Sequence, residues 1–346
     1  MVFVEGVLLR ILTNSRPTSC ARASAVVYLR RDHHKASVAD DAINSLRRTF
    51  NRSELSQMII KGYGNPRILE KSIRLHDGMY VDIRDVITTQ LRVRREIVTG
   101  TLEYSSMYLK WPDELTLNQM DTTKWEVDHG GHHFSRYTFI MIEEMFLSGS
   151  VPLQRDVNAR VLSLGLGAGY VNSYLHHHFP KMDITVVELD PQIAMISRKW
   201  FDLKLDQRQH LIVGDAMDYI KNANLQGEKF DVILLDACST EGEAQCPLKE
   251  AINKESAEMF SSLLNERGAL IANVFTMASD NLKFGNKVRS YYGGVFVYCP
   301  LRRTPTKNFV MTCTNHPRPE GLRDEHAKFM RYAEAGAEAM PAIELL

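Results

Sequence analysis

The chain has 346 residues, of which 44% are hydrophobic and 24% are charged, an ordinary composition for a folded globular protein. Lys plus Arg and Asp plus Glu number 42 each, so the formal net charge is zero. No global basic field is therefore available to attract nucleic acid or an anionic membrane surface. For this reason we expect no nucleic-acid partner. Because no apolar stretch approaches the ~20 residues of a membrane span, we expect no membrane partner either.

The five cysteines lie at positions 20, 238, 246, 299 and 313 and form no C-x-x-C pair. Their odd number and spacing argue against a disulfide framework and against a four-thiolate zinc site. We therefore expect free thiols and a cytoplasmic location. The first 31 residues carry five arginines and one acid, Glu5. Since a mitochondrial transit segment has this composition too, a mitochondrial location is the alternative.

The N-terminal third predicts a helix followed by a small sheet. Residues 32–62 carry apolar residues at rough helical spacing and end at KGYGNP, whose Gly and Pro break a helix. The runs MYVDIRDVI, QLRVRREIV and LEYSSMYL then read as antiparallel strands. We assign residues 1–65 to a leader and helix, and 66–119 to a small β-rich region.

The rest of the chain alternates strand-like and helix-like segments. We predict strands at 160–164, 184–188, 210–213, 231–235 and 268–275, and helices at about 170–178, 191–200, 216–222 and 255–265. Such alternation implies a parallel sheet with helices on both faces. The final runs GGVFVYCPL and KNFVMTCT, joined by RRTPT, predict an antiparallel hairpin at the sheet edge.

This layout is typical of an α/β, Rossmann-like class I methyltransferase fold with a seven-stranded sheet. We place that domain at 120–315 and a tail helix at 316–346.

The stretch RVLSLGLGAGYVNSYL contains three glycines between an apolar run and a helix-like segment. Gly165 and Gly167 would allow a tight turn and the approach of a ligand, and Gly169 a close helix-to-sheet contact. A dinucleotide fingerprint that starts at Gly165 requires glycine at 170, where this chain has Tyr. The G-x-G-x-G spacing is instead typical of S-adenosylmethionine sites.

Acidic residues follow the next three predicted strands. Glu188 could accept hydrogen bonds from two ribose hydroxyls. Asp215 could accept from an adenine amino group beside the small Ala216, although Asp218 competes for this role and an Asp here could also cap a helix. Asp236 ends an apolar strand, where a carboxylate needs a partner, so we expect it to be catalytic or to orient the substrate.

These stretches, with VVELDPQIAMISRKWFDL, HLIVGDAMDYI, FDVILLD and CPL, resemble spermidine-synthase-like proteins from about residue 90 to 314. Among these proteins, the chain resembles in particular the C-terminal domain of the eukaryotic elongation-factor-1-alpha lysine and N-terminal methyltransferase. The resemblance implies a pocket for S-adenosylmethionine or its decarboxylated form. It places six residues on that pocket, namely Gly165, Gly167, Gly169, Glu188, Asp215 and Asp236.

The chain departs from spermidine synthases in their D-x-x-D motif after the fourth strand, since the stretch here is DACS, from Asp236 to Ser239. The second acid, which holds the distal ammonium of a diamine, is missing. We therefore expect an S-adenosylmethionine-dependent methyltransferase that acts on an amine of a protein. A polyamine aminopropyltransferase is the alternative, and a catalytically silent scaffold is a third possibility.

In the methyltransferase hypothesis, Asp236 orients the amine and helps to deprotonate it. Tyr137 contributes from the start of TFIMIEEMFLSG (138–149), which has the apolar density of a buried helix and precedes the first predicted strand of the parallel sheet. We expect no metal at HHH (176–178), because adjacent helical residues point about 100° apart. HGGHH (129–133) is interpreted as a substrate-side loop, and RVRR (92–95) as a solvated strand face. The oligomeric state stays open, with a dimer possible.

Overall fold

The computed structural model describes residues 48–129, 137–239, 245–277 and 280–333. Within this part, the chain from Arg48 onward forms one compact unit. The predicted leader, the start of the predicted N-terminal helix, the end of the tail and most of HGGHH lie outside the described residues.

The first described helix, α1, spans Arg52–Tyr63. Asn51 caps it by accepting a hydrogen bond from the Glu54 N–H, while the Glu54 carboxylate accepts from the Asn51 N–H, each at 2.9 Å. This reciprocal capping fixes where the helix begins. The prediction of one helix over 32–62 is therefore wrong at residues 48–51, which are not helical.

Four antiparallel strands in sequential order form the small sheet. They are β1 (Arg67–Arg74), β2 (Tyr80–Ile87), β3 (Val93–Thr99) and β4 (Leu102–Leu109). Buried positions alternate along β2, as expected for a strand with one face on the core.

The basic run at 92–95 has a structural role in this sheet. Arg95 is 3% exposed and donates two hydrogen bonds to the buried Asp85 carboxylate, at 2.8 and 3.0 Å. It also donates to the Trp200 carbonyl at 3.0 Å, which ties the small sheet to the rest of the molecule. The expectation that this run forms a solvated strand face is therefore wrong at Arg95.

Eight strands form the large sheet, namely β5 (Arg160–Leu164), β6 (Asp183–Glu188), β7 (Gln209–Val213), β8 (Phe230–Leu235), β9 (Gln245–Cys246), β10 (Leu264–Thr276), β11 (Leu301–Arg303) and β12 (Phe309–Thr314). Their order is β11-β12-β10-β8-β5-β6-β7, and the short β9 also pairs with β10. Strands β7, β6, β5, β8 and β10 run parallel, whereas β12 is antiparallel to both β10 and β11. The prediction of a Rossmann-like sheet closed by an antiparallel hairpin is confirmed.

Seven further helices are described, and most have the predicted positions. They are α2 (Tyr137–Leu147), α3 (Tyr170–His178), α4 (Pro191–Trp200), α5 (Ala216–Gln226), α6 (Lys254–Leu263), α7 (Asn281–Tyr292) and α8 (Leu322–Ala333). The described part contains no helix with the length and apolarity that spanning a membrane requires.

Helix α7 and the start of the hairpin differ from the prediction. Helix α7 was not predicted, although Asp280 is a capping residue that accepts from the Leu282 and Lys283 N–H groups. The predicted β run over 293–301 is mostly not a strand: only β11 pairs regularly, and Tyr298 forms one isolated bridge to Thr314.

Two buried apolar clusters stabilise the fold. The larger one contains Ile83 and Ile97 of the small sheet together with Val161 and Ile184 of the large sheet. The two sheets therefore share a hydrophobic core, so the small sheet is held firmly against the large one.

The expectation of free thiols is wrong for four of the five cysteines. The structure contains disulfides between Cys238 and Cys246 and between Cys299 and Cys313. Each pair is brought together by tertiary structure, β9 returning beside the end of β8 and β12 lying beside the segment before β11. Spacing along the chain does not reveal such pairs.

A buried ionic network fixes α2 to the hairpin. Arg302, 2% exposed, donates to Glu143 and to Glu144, the latter at 3.0 Å, and Arg318 and Thr312 also donate to Glu144. Burial tends to raise the pKa of Glu144, but Arg318 and Arg302 outweigh it and hold this pKa below its usual range. Glu144 is therefore charged and fully paired.

Glu144→Gln should lower the free energy of unfolding by about 3 kcal/mol, because it removes a buried charge that pairs with the buried Arg302 and the partly buried Arg318. Urea unfolding measures the change. Glu258→Gln is the matched control: Glu258 is exposed and lies 3.4 Å from Lys254, so its loss should cost about 0.5 kcal/mol or less. Equal losses in the two variants would contradict the role assigned to the network.

Candidate functional site

A cleft lies at the carboxyl ends of β5, β6, β7 and β8, the position at which parallel α/β sheets bind ligands. With the exception of Gly169, the predicted site residues line it together: Tyr137, Gly165, Gly167, Glu188, Asp215, Ala216 and Asp236. Gly169 is instead the N-cap residue of α3, with a φ of 86°. The structure therefore brings the predicted nucleoside and catalytic residues to one place.

The glycine turn lines the cleft and also allows close contacts within the protein. Gly165 has a φ of 96°, and a Cβ atom there would lie 2.7 Å from the Asp236 carbonyl oxygen. Gly167 has a φ of 55°, and its Cβ would lie 3.0 Å from Ser105 Oγ. The positive φ at both positions fits the predicted tight turn, and the missing side chains allow close packing against β4 and the end of β8. Because Gly165 and Gly167 both line the cleft, the approach of a ligand there stays a prediction.

Glu188 is 7% exposed and is held rigidly by backbone donors. Its Oε2 accepts from the Leu166 N–H at 2.9 Å and its Oε1 from the Asp190 N–H at 2.8 Å. Burial raises the pKa of Glu188, while these N–H groups oppose the rise. Each carboxylate oxygen has a further lone pair, so the group can still accept from two ribose hydroxyls.

Asp215 caps α5 by accepting from the Asp218 N–H at 2.9 Å. It also lines the cleft beside Ala216, whereas Asp218 lies outside the lining and contacts Lys221 at 3.0 Å. Of the two acids weighed for the adenine amino group, only Asp215 is among the described residues that line this cleft, and it also caps α5. Its contact with adenine stays a prediction.

Asp236 is held between two donors at the base of the cleft. Asn273 Nδ2 donates to its Oδ1 at 2.8 Å, and the Tyr137 hydroxyl donates to its Oδ2 at 3.1 Å. Burial raises the pKa of Asp236 to about 7, although both hydrogen bonds lower it. Near neutral pH, this carboxyl group can therefore both accept and release a proton.

Asn273 was missed by the sequence analysis. It lies on β10, is 1% exposed, and its Oδ1 accepts from Asn308 Nδ2 at 2.8 Å. Because the oxygen is occupied, the amide of Asn273 presents its NH₂ group to Asp236. A buried Asn within the apolar run LIANVF was the available signal.

The small sheet also contributes to the site. Ser105 Oγ on β4 accepts from the Ala168 N–H at 2.9 Å, and Tyr104 lines the cleft. Burial, followed by the charges of Glu188 and Asp190, raises the pKa of the Tyr104 hydroxyl, which therefore stays protonated. The sequence analysis treated this sheet as an accessory region and assigned it no site residue.

Two histidines of the run at 176–178 contact other parts of the protein. His176 Nε2 lies 2.9 Å from Asp206 Oδ2, and His178 Nε2 lies 3.3 Å from the His129 carbonyl. In the described ranges, no three His, Cys, Asp or Glu side chains are grouped so that they could hold a metal ion.

The raised pKa of Asp236 predicts a pH-dependent cost in stability. Between pH 4 and 7 the folded state keeps a proton on Asp236 that the unfolded chain loses, so the free energy of unfolding falls as the pH rises. Asp236→Asn removes the cost of ionising this buried group. The variant should therefore be more stable than the natural protein at pH 8 by on the order of 2 kcal/mol, with little difference at pH 4.

Urea unfolding at the two pH values measures this difference. Asp218→Asn is the matched control, because its carboxylate is exposed and lies outside the cleft. A gain that is the same at both pH values, or that also occurs in the control, would contradict the raised pKa.

The comparisons with known proteins agree with this geometry. Residues 141–311 match the model of the spermine/spermidine synthase domain. A Vibrio vulnificus polyamine aminopropyltransferase is 29% identical over 188 residues, 54% of this chain and 59% of that protein. A human eEF1A lysine and N-terminal methyltransferase is 27% identical over 183 residues, 51% of this chain and 26% of that protein. The chain thus spans only part of the length of these relatives.

A solved structure of human methyltransferase-like protein 13 in complex with SAH has the same fold. The aligned region covers 59% of this chain and 95% of the chain in that structure, with a TM-score of 0.51 and 24% sequence identity. The strand order and this likeness show a Rossmann-like α/β fold, and residues 141–311 are similar to the spermine/spermidine synthase domain.

Proposed function

We propose that the protein is an S-adenosylmethionine-dependent methyltransferase that acts on an amine of a protein substrate. The observation that carries the proposal is the carboxyl group of Asp236, which lines the cleft and has a pKa of about 7. Relatives named as eEF1A lysine and N-terminal methyltransferases support the reaction and the class of substrate.

The cleft residues fit this cofactor. Glu188 would hold the ribose hydroxyls, Asp215 and Ala216 would hold the adenine, and the backbone from Gly165 to Gly167 would lie along the adenosyl group. The rigid Glu188 carboxylate, with lone pairs still available, is the structural feature that fits a nucleoside best. When bound, the cofactor supplies a methyl group activated by its sulfonium.

The chain's own residues would prepare the amine. A protonated amine has no free lone pair, so it must lose a proton before it can attack a methyl group. Asp236 can accept that proton at a carboxylate oxygen, because its raised pKa brings it nearer to the pKa of an amine. Tyr137 and Asn273 fix the direction of the carboxylate through their hydrogen bonds.

Aminopropyl transfer to a polyamine is the second candidate, and the similarity to a polyamine aminopropyltransferase favours it. A diamine carries a second charge that requires its own carboxylate. Position 239, where the D-x-x-D motif has that acid, is Ser in this chain. This difference is why we favour methyl transfer.

The cytoplasmic location stays a prediction.

Calorimetry and a methyl-transfer assay test the proposal together. We expect tighter binding of S-adenosylmethionine than of its decarboxylated form, and transfer of tritiated methyl groups to proteins in a cell lysate. Asp236→Asn should lower the transfer rate by about 10²- to 10⁴-fold, the usual contribution of a general base. Its Kd for S-adenosylmethionine should change less than about twofold, since Asp236 acts on the amine.

The rate of the natural protein should rise with pH through about 7, as Asp236 ionises. Asp218→Asn is the matched control and should keep the natural rate, because Asp218 lies outside the cleft lining. Preference for the decarboxylated cofactor with transfer to putrescine would establish the aminopropyl alternative. Binding of neither cofactor would indicate a catalytically silent scaffold.

A further inference from the structure

A chain of hydrogen bonds joins the Asp236 carboxyl group to the loop between β11 and β12 (304–308). Asn273 Nδ2 donates to Asp236 Oδ1, and Asn308 Nδ2 donates in turn to Asn273 Oδ1, each at 2.8 Å. The Thr306 hydroxyl donates to Asn308 Oδ1 at 3.1 Å. Asn273 is buried, whereas Thr306 is exposed. The loop is therefore connected to the cleft through two side-chain amides.

The strand register explains why Asn308 reaches Asn273. Asn273 of β10 lies opposite Val310 of β12 in the antiparallel pair. Asn308 precedes Val310 by two residues, so its side chain lies on the same face of the sheet. The N–H and the hydroxyl of Thr304 both donate to the Asn308 carbonyl, at 3.2 and 2.7 Å. The loop therefore holds the Asn308 amide beside the oxygen of Asn273.

The direction of the Asn273 amide matters for the protonation of Asp236. An amide donates from its NH₂ group and accepts at its oxygen. In the present direction the NH₂ group faces Asp236, and a hydrogen bond of this kind favours the ionised carboxylate. With the amide reversed, its oxygen would face Asp236, and only a protonated carboxyl group could donate to it. The reversed amide would therefore disfavour ionisation.

Asn308 holds the amide in its present direction. It occupies Asn273 Oδ1 with an N–H donor, so a reversal of Asn273 would bring two NH₂ groups together unless the Asn308 amide reversed as well. Burial raises the pKa of Asp236, and the hydrogen bond from Asn273 is the larger of the two that oppose the rise. Both amides are uncharged, so their influence on Asp236 acts through the direction of the hydrogen bond.

Titratable groups on other elements share the cleft with Asp236. They include Asp77, Tyr104, Tyr137, Glu188, Asp190 and Asp215. Asn308 lies outside the described lining of the cleft. A substitution of Asn308 leaves these groups in place, so a change in the ionisation of Asp236 would report on the amide.

We propose that Asn308 is a positioning residue of the methyl-transfer reaction: it holds the oxygen of Asn273, keeps an N–H donor on Asp236 and thereby maintains this carboxylate as the proton acceptor. This inference rests on the proposed function and deepens it, because it assigns a role in proton transfer to the loop between β11 and β12.

Asn308→Leu tests the assignment, because it removes the N–H donor and keeps the approximate size of the side chain. The Asn273 amide is then free to reverse. We expect the midpoint of the Asp236 titration, followed by the ¹³C chemical shift of its carboxyl carbon, to rise by about one pH unit. The rate of methyl transfer should fall about fivefold at pH 7 and return to within about twofold of the natural rate at pH 9. The Kd for S-adenosylmethionine should change less than about twofold, which also shows that the variant is folded.

Asn308→Asp is a second variant, with nearly the natural shape. Its carboxylate can only accept, so the Asn273 NH₂ group should turn toward it and away from Asp236. The added negative charge also opposes the ionisation of Asp236. The midpoint should therefore rise further than in Asn308→Leu, and a smaller rise would contradict the assignment.

Asn315→Leu is the matched control. Asn315 is exposed and lies at the other end of β12 from Asn308, where its Oδ1 accepts from the Val297 N–H at 3.2 Å. The same substitution at this position should leave the midpoint and the rate unchanged.

Three results would overturn the assignment: a natural midpoint in Asn308→Leu, a rate that falls equally at pH 7 and pH 9, or the same shift in Asn315→Leu. The proposed function would survive each of them, provided that the natural protein transfers methyl groups. If the natural protein transfers none, the proposed function fails and the role of Asn308 in the reaction fails with it. The titration requires no activity, so the two failures are distinguishable.

Discussion

The hydrogen bonds that hold the Asp236 carboxyl group between Asn273 and Tyr137 are the interaction on which the site depends. A carboxylate at the end of an apolar strand is costly unless donors compensate for lost water, and here the compensation is partial. The pKa consequently lies at about 7, where the group can accept a proton. Gly165 belongs to the same arrangement, because its missing side chain leaves room for the Asp236 carbonyl oxygen.

The surrounding structure limits the movement of these donors. Asn308 occupies the oxygen of Asn273 and so turns its amide toward Asp236. Tyr137 begins α2, and the buried ion pairs of Glu143 and Glu144 with Arg302 fix that helix to the hairpin. The small sheet completes the enclosure, because it shares the hydrophobic core and contacts the glycine turn. The small sheet is therefore part of the site.

The sequence predicted the parts of the site that depend on local order. Strand ends and spacing were sufficient to place Glu188, Asp215 and Asp236 together, because parallel strands bring their carboxyl ends to one edge. The partners supplied by distant segments were not predictable in this way. Asn273, Ser105 and the disulfides depend on which strands become neighbours, and the reason for Gly165 depends on a backbone atom 71 residues away in the chain.

Titration of the Asp236 carboxyl group tests the central claim most directly. The protein would be labelled with ¹³C at aspartate carboxyl carbons, and the Asp236 signal would be assigned by its loss in Asp236→Asn. We expect the chemical shift of this carbon to change with a midpoint near pH 7. A midpoint near 4, the value of an ordinary aspartate, would contradict the account.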